Sequence, residues 1–171
     1  MLSGSKIHLR LLEKEDISIL FKLHNEKKVK KYNIIVDNID SKVSLRKALS
    51  IVNEENALIG FITYKEREYY SRIYSIGITI GSEYWGRRYG LDSIRTLLRY
   101  LFKKLNARKV ELDVASHNIR AISCYKKCGF IEESIKRNFI YVDGESIDIV
   151  IMGIIRERYN SYLKCEDGKY I

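Results

Sequence analysis

Seven apolar residues recur at helical spacing between positions 91 and 105: Leu91, Ile94, Leu97, Leu98, Leu101, Phe102 and Leu105. They form one stripe on an amphipathic helix, and such a stripe is stable only against another layer of structure. The segments on either side read as strands. Residues 57–67 and 72–80 are rich in Ile, Tyr, Phe and Thr and read as a hairpin, and residues 109–115 alternate. Residues 6–12 also alternate well enough for a strand. The acidic run Glu13 to Asp16 opens a helix with apolar positions Ile17, Leu20, Phe21 and Leu23. Asn118 is a good N-cap for a helix through Cys128, with Gly129 just past its end. Residues 135–142 and 146–155 read as two strands joined at Asp143-Gly144, a strong hairpin signal. The expected fold is a mixed α/β domain with a central sheet. Residues 45–53 stay open between helix and strand, Asn53 to Asn56 reads as a turn, and residues 32–44 read as polar and irregular.

Composition narrows the class. The 171 residues carry 46% hydrophobic and 31% charged side chains, which fits one ordinary folded domain over 1–171, with 158–171 read as a C-terminal tail. No apolar run spans a bilayer, and Met1 to Lys6 lacks the apolar centre of a signal peptide, so a cytoplasmic protein is expected. Three cysteines (Cys124, Cys128, Cys165) with no CxxC pair argue against a disulfide framework or a zinc site, and no metal is expected. The net charge of +9 fits nucleic acid, an acidic surface or a phosphorylated ligand. The local run Lys27-Lys28-Val29-Lys30-Lys31 is read as a solvated helix end.

The chemistry concentrates in two segments. In Ile78 to Asp92 a strand runs through a glycine-bearing loop (Trp85-Gly86-Arg87-Arg88-Tyr89-Gly90) into the amphipathic helix. Turning backbone, a helix N-terminus and two arginines make an anion site. The second segment, Ser116 to Phe130, is a capped helix that follows a strand.

Together the two segments resemble the GNAT superfamily of N-acetyltransferases, in the branch of ribosomal-protein N-acetyltransferases and spermidine acetyltransferases. The first resembles the family's pyrophosphate loop, Gln/Arg-x-x-Gly-x-Gly/Ala. The second matches its Asn-x-x-Ala-x-x-x-Tyr-x-x-x-Gly-Phe signature at Asn118, Ala121, Tyr125, Gly129 and Phe130. The closing Asp143-Gly144-Glu145 and Asp148 to Gly153 resemble that branch as well. The resemblance covers residues 6–158 and is tight from 76 onward.

It implies a mixed, mostly antiparallel sheet flanked by helices, whose central strands 72–80 and 109–115 splay at the cofactor end. It also implies transfer of acetyl from acetyl-CoA to a primary amine: a protein N-terminus, a polyamine or a small amine. The pyrophosphate would sit on the N–H groups of Arg87, Arg88, Tyr89, Gly90 and Leu91. The pantetheine arm would pair with the strand edge at Ile78 and Ile80. An N–H near Ile80 would stabilise the oxyanion. Asn118 would hold pantetheine or cap its helix, and Tyr125 would hydrogen-bond the leaving sulfur. Glu83 and His117 flank the site as bases, with a water chain as the alternative.

The chain departs from the pattern at several places. Trp85 stands at the Gln/Arg position, and Ser75 where a glutamate is common. Arg88 replaces the middle glycine, which calls for a negative φ there. The short 32–44 region implies an open acceptor site. Monomer and homodimer both remain open. The alternative reading is a non-catalytic module that binds acyl-CoA or associates with RNA or ribosomes. A plain nucleic-acid binder would need a recognition helix or stacking motif, and none is found.

Overall fold

The computed structural model describes residues 1–33, 48–68 and 71–167. The expectation for residues 32–44 therefore lies almost wholly outside the described residues. The elements are β1 (Leu2–Ser3), β2 (Ile7–Leu11), α1 (Lys14–Asn25), α2 (Lys27–Lys30), β3 (Ala48–Asn53), β4 (Leu58–Glu66), β5 (Ile73–Ile80), α3 (Tyr89–Lys103), β6 (Lys109–Ala115), α4 (Ile119–Lys127), β7 (Ile131–Val142), β8 (Glu145–Ile155) and α5 (Arg156–Asp167).

The strands form one sheet in the order β1-β2-β3-β4-β5-β6-β8-β7. Every pairing is antiparallel except β5 with β6. Parallel neighbours need a crossover, and α3 supplies it. The expected mixed, mostly antiparallel sheet is the one found.

The stripe of α3 packs on one face of the sheet. Ile94, Leu97, Leu98, Leu101 and Phe102 are almost completely buried there, in a core shared with Leu9, Ile51, Val110 and Met152. On the other face α1 lays Leu20 and Leu23 against Phe61. Phe21, expected in that stripe, is 48% exposed, because Leu20 and Leu23 already fill the narrow contact with the sheet.

Three segments differ from the sequence reading. Residues 45–53 resolve into strand β3, whose six residues are all buried between β2 and β4. A strand covered on both faces shows no alternation, which is why its period was silent. The 158–171 tail is a helix as far as Asp167: Tyr159 of α5 stacks on Phe102 at 4.4 Å, and Arg158 Nε donates to the Gly129 carbonyl at 2.7 Å. Its stripe is too sparse to read from sequence, and docking supplies its stability. The N-terminal residues also gain order, since β1 pairs with β2. Asp92 of α3 accepts backbone hydrogen bonds from Ser5, Lys6 and Ile7 at 3.1, 2.6 and 3.1 Å.

Asp16 ties α1 to the sheet. Both of its carboxylate oxygens accept from the Arg10 guanidinium at 2.6 and 2.7 Å. Ser50 Oγ of β3 donates to it at 2.7 Å and the Glu13 N–H at 3.0 Å. Burial pushes the carboxyl up, but Arg10, Glu13 and Ser50 together outweigh burial and bring its pKa down to about 2. The carboxylate therefore contributes about 2 kcal/mol of stability, present above about pH 4 and lost as the pH falls through about 2. Asp16→Asn is expected to lower unfolding free energy at pH 7 by about that amount, with the gap to wild type closing near pH 2. Urea denaturation across pH reads both.

Candidate functional site

β5 and β6 pair only through Ile73 to Ser75 and Lys109 to Glu111. Beyond that point they part. β5 stays bound to β4 as far as Ile80, and β6 to β8 as far as Ala115. The gap opens into a cleft of about 860 Å³ lined from β5 by Ile76 to Ile80, from β6 by Asp113 to Ala115, and by the facing ends of α3 and α4. The expected splaying of strands 72–80 and 109–115 is thus present, at the end where both helices begin.

The loop after β5 is fixed at its start by Trp85, whose indole N–H donates to the Ile80 carbonyl at 2.8 Å. It then turns through two left-handed residues, Gly86 at φ 80° and Arg88 at φ 69°. The expectation of a negative φ at Arg88 is corrected: the turn into the helix demands a left-handed residue there, and Arg adopts it under strain. The first intrahelical bond runs from the Asp92 N–H to the Arg88 carbonyl at 3.1 Å. The N–H groups of Tyr89, Gly90 and Leu91 consequently have no acceptor within their own helix, and all three residues line the cleft. Together with the positive end of α3 they suit an anion.

Asn118 caps α4, its Oδ1 accepting from the Ala121 N–H at 3.2 Å. It is 7% exposed and lines the cleft. Two turns on, Tyr125 lines the cleft too, its ring edge-on to Phe130 at 5.9 Å. Burial pushes its phenol far above the ordinary tyrosine value, with Cys124 and Cys128 adding to the rise. The hydroxyl therefore stays protonated, a donor, throughout the neutral range. Gly129 ends the helix at φ 93°, as expected of a C′ residue; a Cβ there would meet Ile154 at 3.0 Å.

Of the residues singled out from sequence, Ile78, Ile80, Arg88, Tyr89, Gly90, Leu91, Asn118 and Tyr125 come together around this cleft. Arg87, Glu83 and His117 are exposed and lie outside its wall. The His117 ring instead packs against Tyr32, 5.6 Å between centroids.

Sequence reasoning missed a group on the far side of β5. Asn33 Nδ2 donates to Thr79 Oγ1 at 3.0 Å and lies 3.3 Å from His24 Nδ1. Among the described residues, Asn33, Thr79, Tyr32 and Val29 line that side of the cleft, all of them neutral. It also missed Arg120. The Arg120 guanidinium lies 3.2 Å from the centre of the Trp85 ring and 5.6 Å from that of Tyr32. Burial lowers its pKa. A cation from α4 thus sits over the loop position where the resembled motif carries Gln or Arg. The exposed helical position gave no signal for this contact.

The cations on the wall are Arg88, Arg95, Arg120, Lys126 and Lys127, and among the described lining residues the only acid is Asp113. Lys136 lies 3.5 Å from it. Bare helix N–H groups, these cations and an unpaired strand edge form a donor set for an elongated ligand with phosphates at one end. Among the described residues no cluster of His, Cys, Asp or Glu could hold a metal ion.

The strain at Arg88 is testable. Arg88→Gly is expected to leave stability unchanged or raise it by up to about 1 kcal/mol, as relief of the left-handed penalty offsets the greater freedom of the unfolded glycine. Arg88→Val should lower stability by about 1–2 kcal/mol, since a β-branched residue fits that region worst. Thermal unfolding of the two variants checks the order.

Residues 6–131 match the family described as Acetyltransferase (GNAT) domain. The spermidine N(1)-acetyltransferase of Vibrio cholerae is 26% identical over 167 residues, covering 91% of this chain and 96% of that protein. The putative ribosomal N-acetyltransferase YdaF of Bacillus subtilis is 24% identical, covering 90% and 93%. Among solved structures, spermidine N-acetyltransferase from Vibrio cholerae in complex with CoA and spermine superposes with a TM-score of 0.79 at 26% identity, covering 92% of this chain and 99% of that one.

Proposed function

The chain belongs to the GNAT acetyltransferase family, and from that premise we propose that it transfers an acetyl group from acetyl-CoA directly to a primary amine. The observation that carries this reading is the parted pair β5 and β6, with the bare N-terminus of α3 on one side and Asn118 and Tyr125 on the other. Bound acetyl-CoA supplies a thioester carbonyl open to attack by a neutral amine.

The protein's part in each stage follows from its own groups. The N–H groups of Tyr89, Gly90 and Leu91, with Arg88 and Arg120 nearby, hold the phosphates. The free edge of β5 at Ile78 and Ile80 takes the pantetheine arm by backbone pairing, opposite Asn118. Tyr125 donates a hydrogen bond to the sulfur, where negative charge grows as the tetrahedral intermediate collapses. Its raised pKa makes it a donor rather than a strong acid.

The acceptor enters past Val29, Tyr32, Asn33 and Thr79. A water chain along these groups removes the amine proton, because Glu83 and His117 stand outside the wall and position 75 is serine. A relative solved with spermine supports an amine acceptor and puts polyamines first among those to try. Among the described residues no helix is long and apolar enough to cross a membrane.

Two measurements test the reading together. Calorimetry should show acetyl-CoA binding, and thiol release should show turnover with one member of a panel of spermidine, a peptide with a free N-terminus and a small amine. Absence of binding would overturn the proposal; binding without turnover on any amine would leave a non-catalytic acyl-CoA module. For Tyr125→Phe, which keeps the ring and its packing on Phe130, turnover is expected to fall roughly ten- to a thousandfold. Acetyl-CoA affinity and melting temperature should stay close to wild type. Full turnover would remove Tyr125 from the mechanism.

A further inference from the structure

Thr79 sits on β5 between Ile78 and Ile80, the two edge residues assigned above to the pantetheine arm. In the ladder it stands opposite Phe61, and residues opposite one another share a face. Thr79 therefore lies on the face that α1 covers with Leu20 and Leu23, and it is buried there. A group that reaches Thr79 from that face arrives beside the stretch of edge that carries the thioester.

Asn33, just beyond α2, does so. Its Nδ2 donates to Thr79 Oγ1 at 3.0 Å and lies 3.3 Å from His24 Nδ1 of α1. An amide nitrogen can only donate, so Nδ1 accepts and the His24 ring carries its hydrogen on Nε2. The amide nitrogen has two hydrogens, and these two acceptors take both. The turn of the Asn33 side chain is thereby set from two elements, α1 and β5. The other polar atom of that amide is the Oδ1 carbonyl, an acceptor with two lone pairs, and Asn33 lines the cleft.

We propose that the Asn33 carbonyl holds the acceptor amine, accepting one of its N–H hydrogens and leaving its lone pair free to attack. This rests on the acetyl-transfer reading and adds how the amine is selected and aimed. A donor at this place would tie up the lone pair. A carboxylate would favour the ammonium form, which has no lone pair to offer. A neutral carbonyl does neither, so it suits the form that reacts. On attack the nitrogen lone pair forms the bond to the thioester carbon, and the carbonyl π pair moves to oxygen. The nitrogen becomes cationic and still carries both hydrogens, one of which then leaves along the water chain. Its hydrogen bond to Oδ1 strengthens as the new bond forms, and such a contact lowers the barrier more than it tightens binding. His24 and Thr79 act through Asn33 as positioning residues. With either acceptor gone, an N–H is released and the amide can turn a donor toward the amine.

Steady-state kinetics of the full chain tests this, with spermidine, a peptide with a free N-terminus and a small amine as acceptors. Asn33→Leu is close in size and lacks the polar group. On the amine that wild type acetylates, it should lower kcat about ten- to a hundredfold, the worth of a hydrogen bond to a charged group. KM for that amine should change less than kcat, and calorimetric acetyl-CoA affinity and melting temperature should stay near wild type. Thr79→Val, which keeps the shape and deletes the hydroxyl, should lower kcat in the same direction by less. His24→Leu should do likewise, whereas His24→Asn restores an acceptor near the place of Nδ1 and should recover part of the loss. A ring that mattered only for its packing on Phe61 would make the two His24 variants alike, and that result would overturn the proposal. So would an Asn33→Leu protein that binds acetyl-CoA and keeps full turnover, or a Thr79→Val protein with wild-type kcat; either leaves the acetyl-transfer reading standing. A wild type that binds acetyl-CoA and acetylates none of the three amines would overturn both.

Discussion

The whole arrangement depends on two neighbouring strands that pair at one end only. Three residues of β5 match three of β6, and beyond Ser75 and Glu111 the ladder stops. The loss is tolerable because each strand keeps its other partner. β5 is bound to β4 from Tyr74 to Ile80, and β6 to β8 from Lys109 to Ala115. The unpaired edges face a cleft rather than a dry core, so their backbone groups remain available to water or to a ligand. The same parting sends the loop at Gly81 and the cap at Asn118 out of the sheet side by side, which brings the starts of α3 and α4 together.

Electrostatics follow from that placement. A helix start is electropositive, the α3 start is bare, and Arg88 and Arg120 stand near it. Among the described residues the opposite side of the cleft, at Asn33 and Thr79, is polar but uncharged. One end therefore suits phosphates and the other suits a group that must be neutral to react. Tyr125 is buried on the helix face that Asn118 begins, and burial keeps its phenol protonated. The protonation state that a hydrogen-bond donor needs is thus a consequence of packing.

Strain collects at the same place. Arg88 holds a left-handed conformation that glycine adopts freely, and the buried α3 stripe behind it maintains the turn. Away from the cleft, Asp143 and Gly144 are left-handed in the turn between β7 and β8, and Asn138 is left-handed at the irregularity within β7.

The sequence by itself determined the elements whose signals are local. The α3 stripe, the cap at Asn118, the left-handed Gly129 and the Asp143-Gly144 turn each depend on residues within a few positions of one another, and each is where periodicity or turn chemistry put it. Asn118 and Tyr125 share a helix face because seven residues make about two turns, a fact any sequence reading contains. Tertiary structure decided the rest, because the deciding partners are far apart along the chain. β3 became a strand once β2 and β4 flanked it, and α5 became a helix once Tyr159 found Phe102. Asp92 caught the N-terminal backbone more than eighty positions away. Adjacent arginines parted company, Arg88 lining the cleft and Arg87 not, because Arg88 itself takes a left-handed conformation that turns the chain into the helix. Arg120 reached Trp85 across the gap for the same reason that the cleft exists: β5 and β6 separate, and only the folded sheet fixes how far.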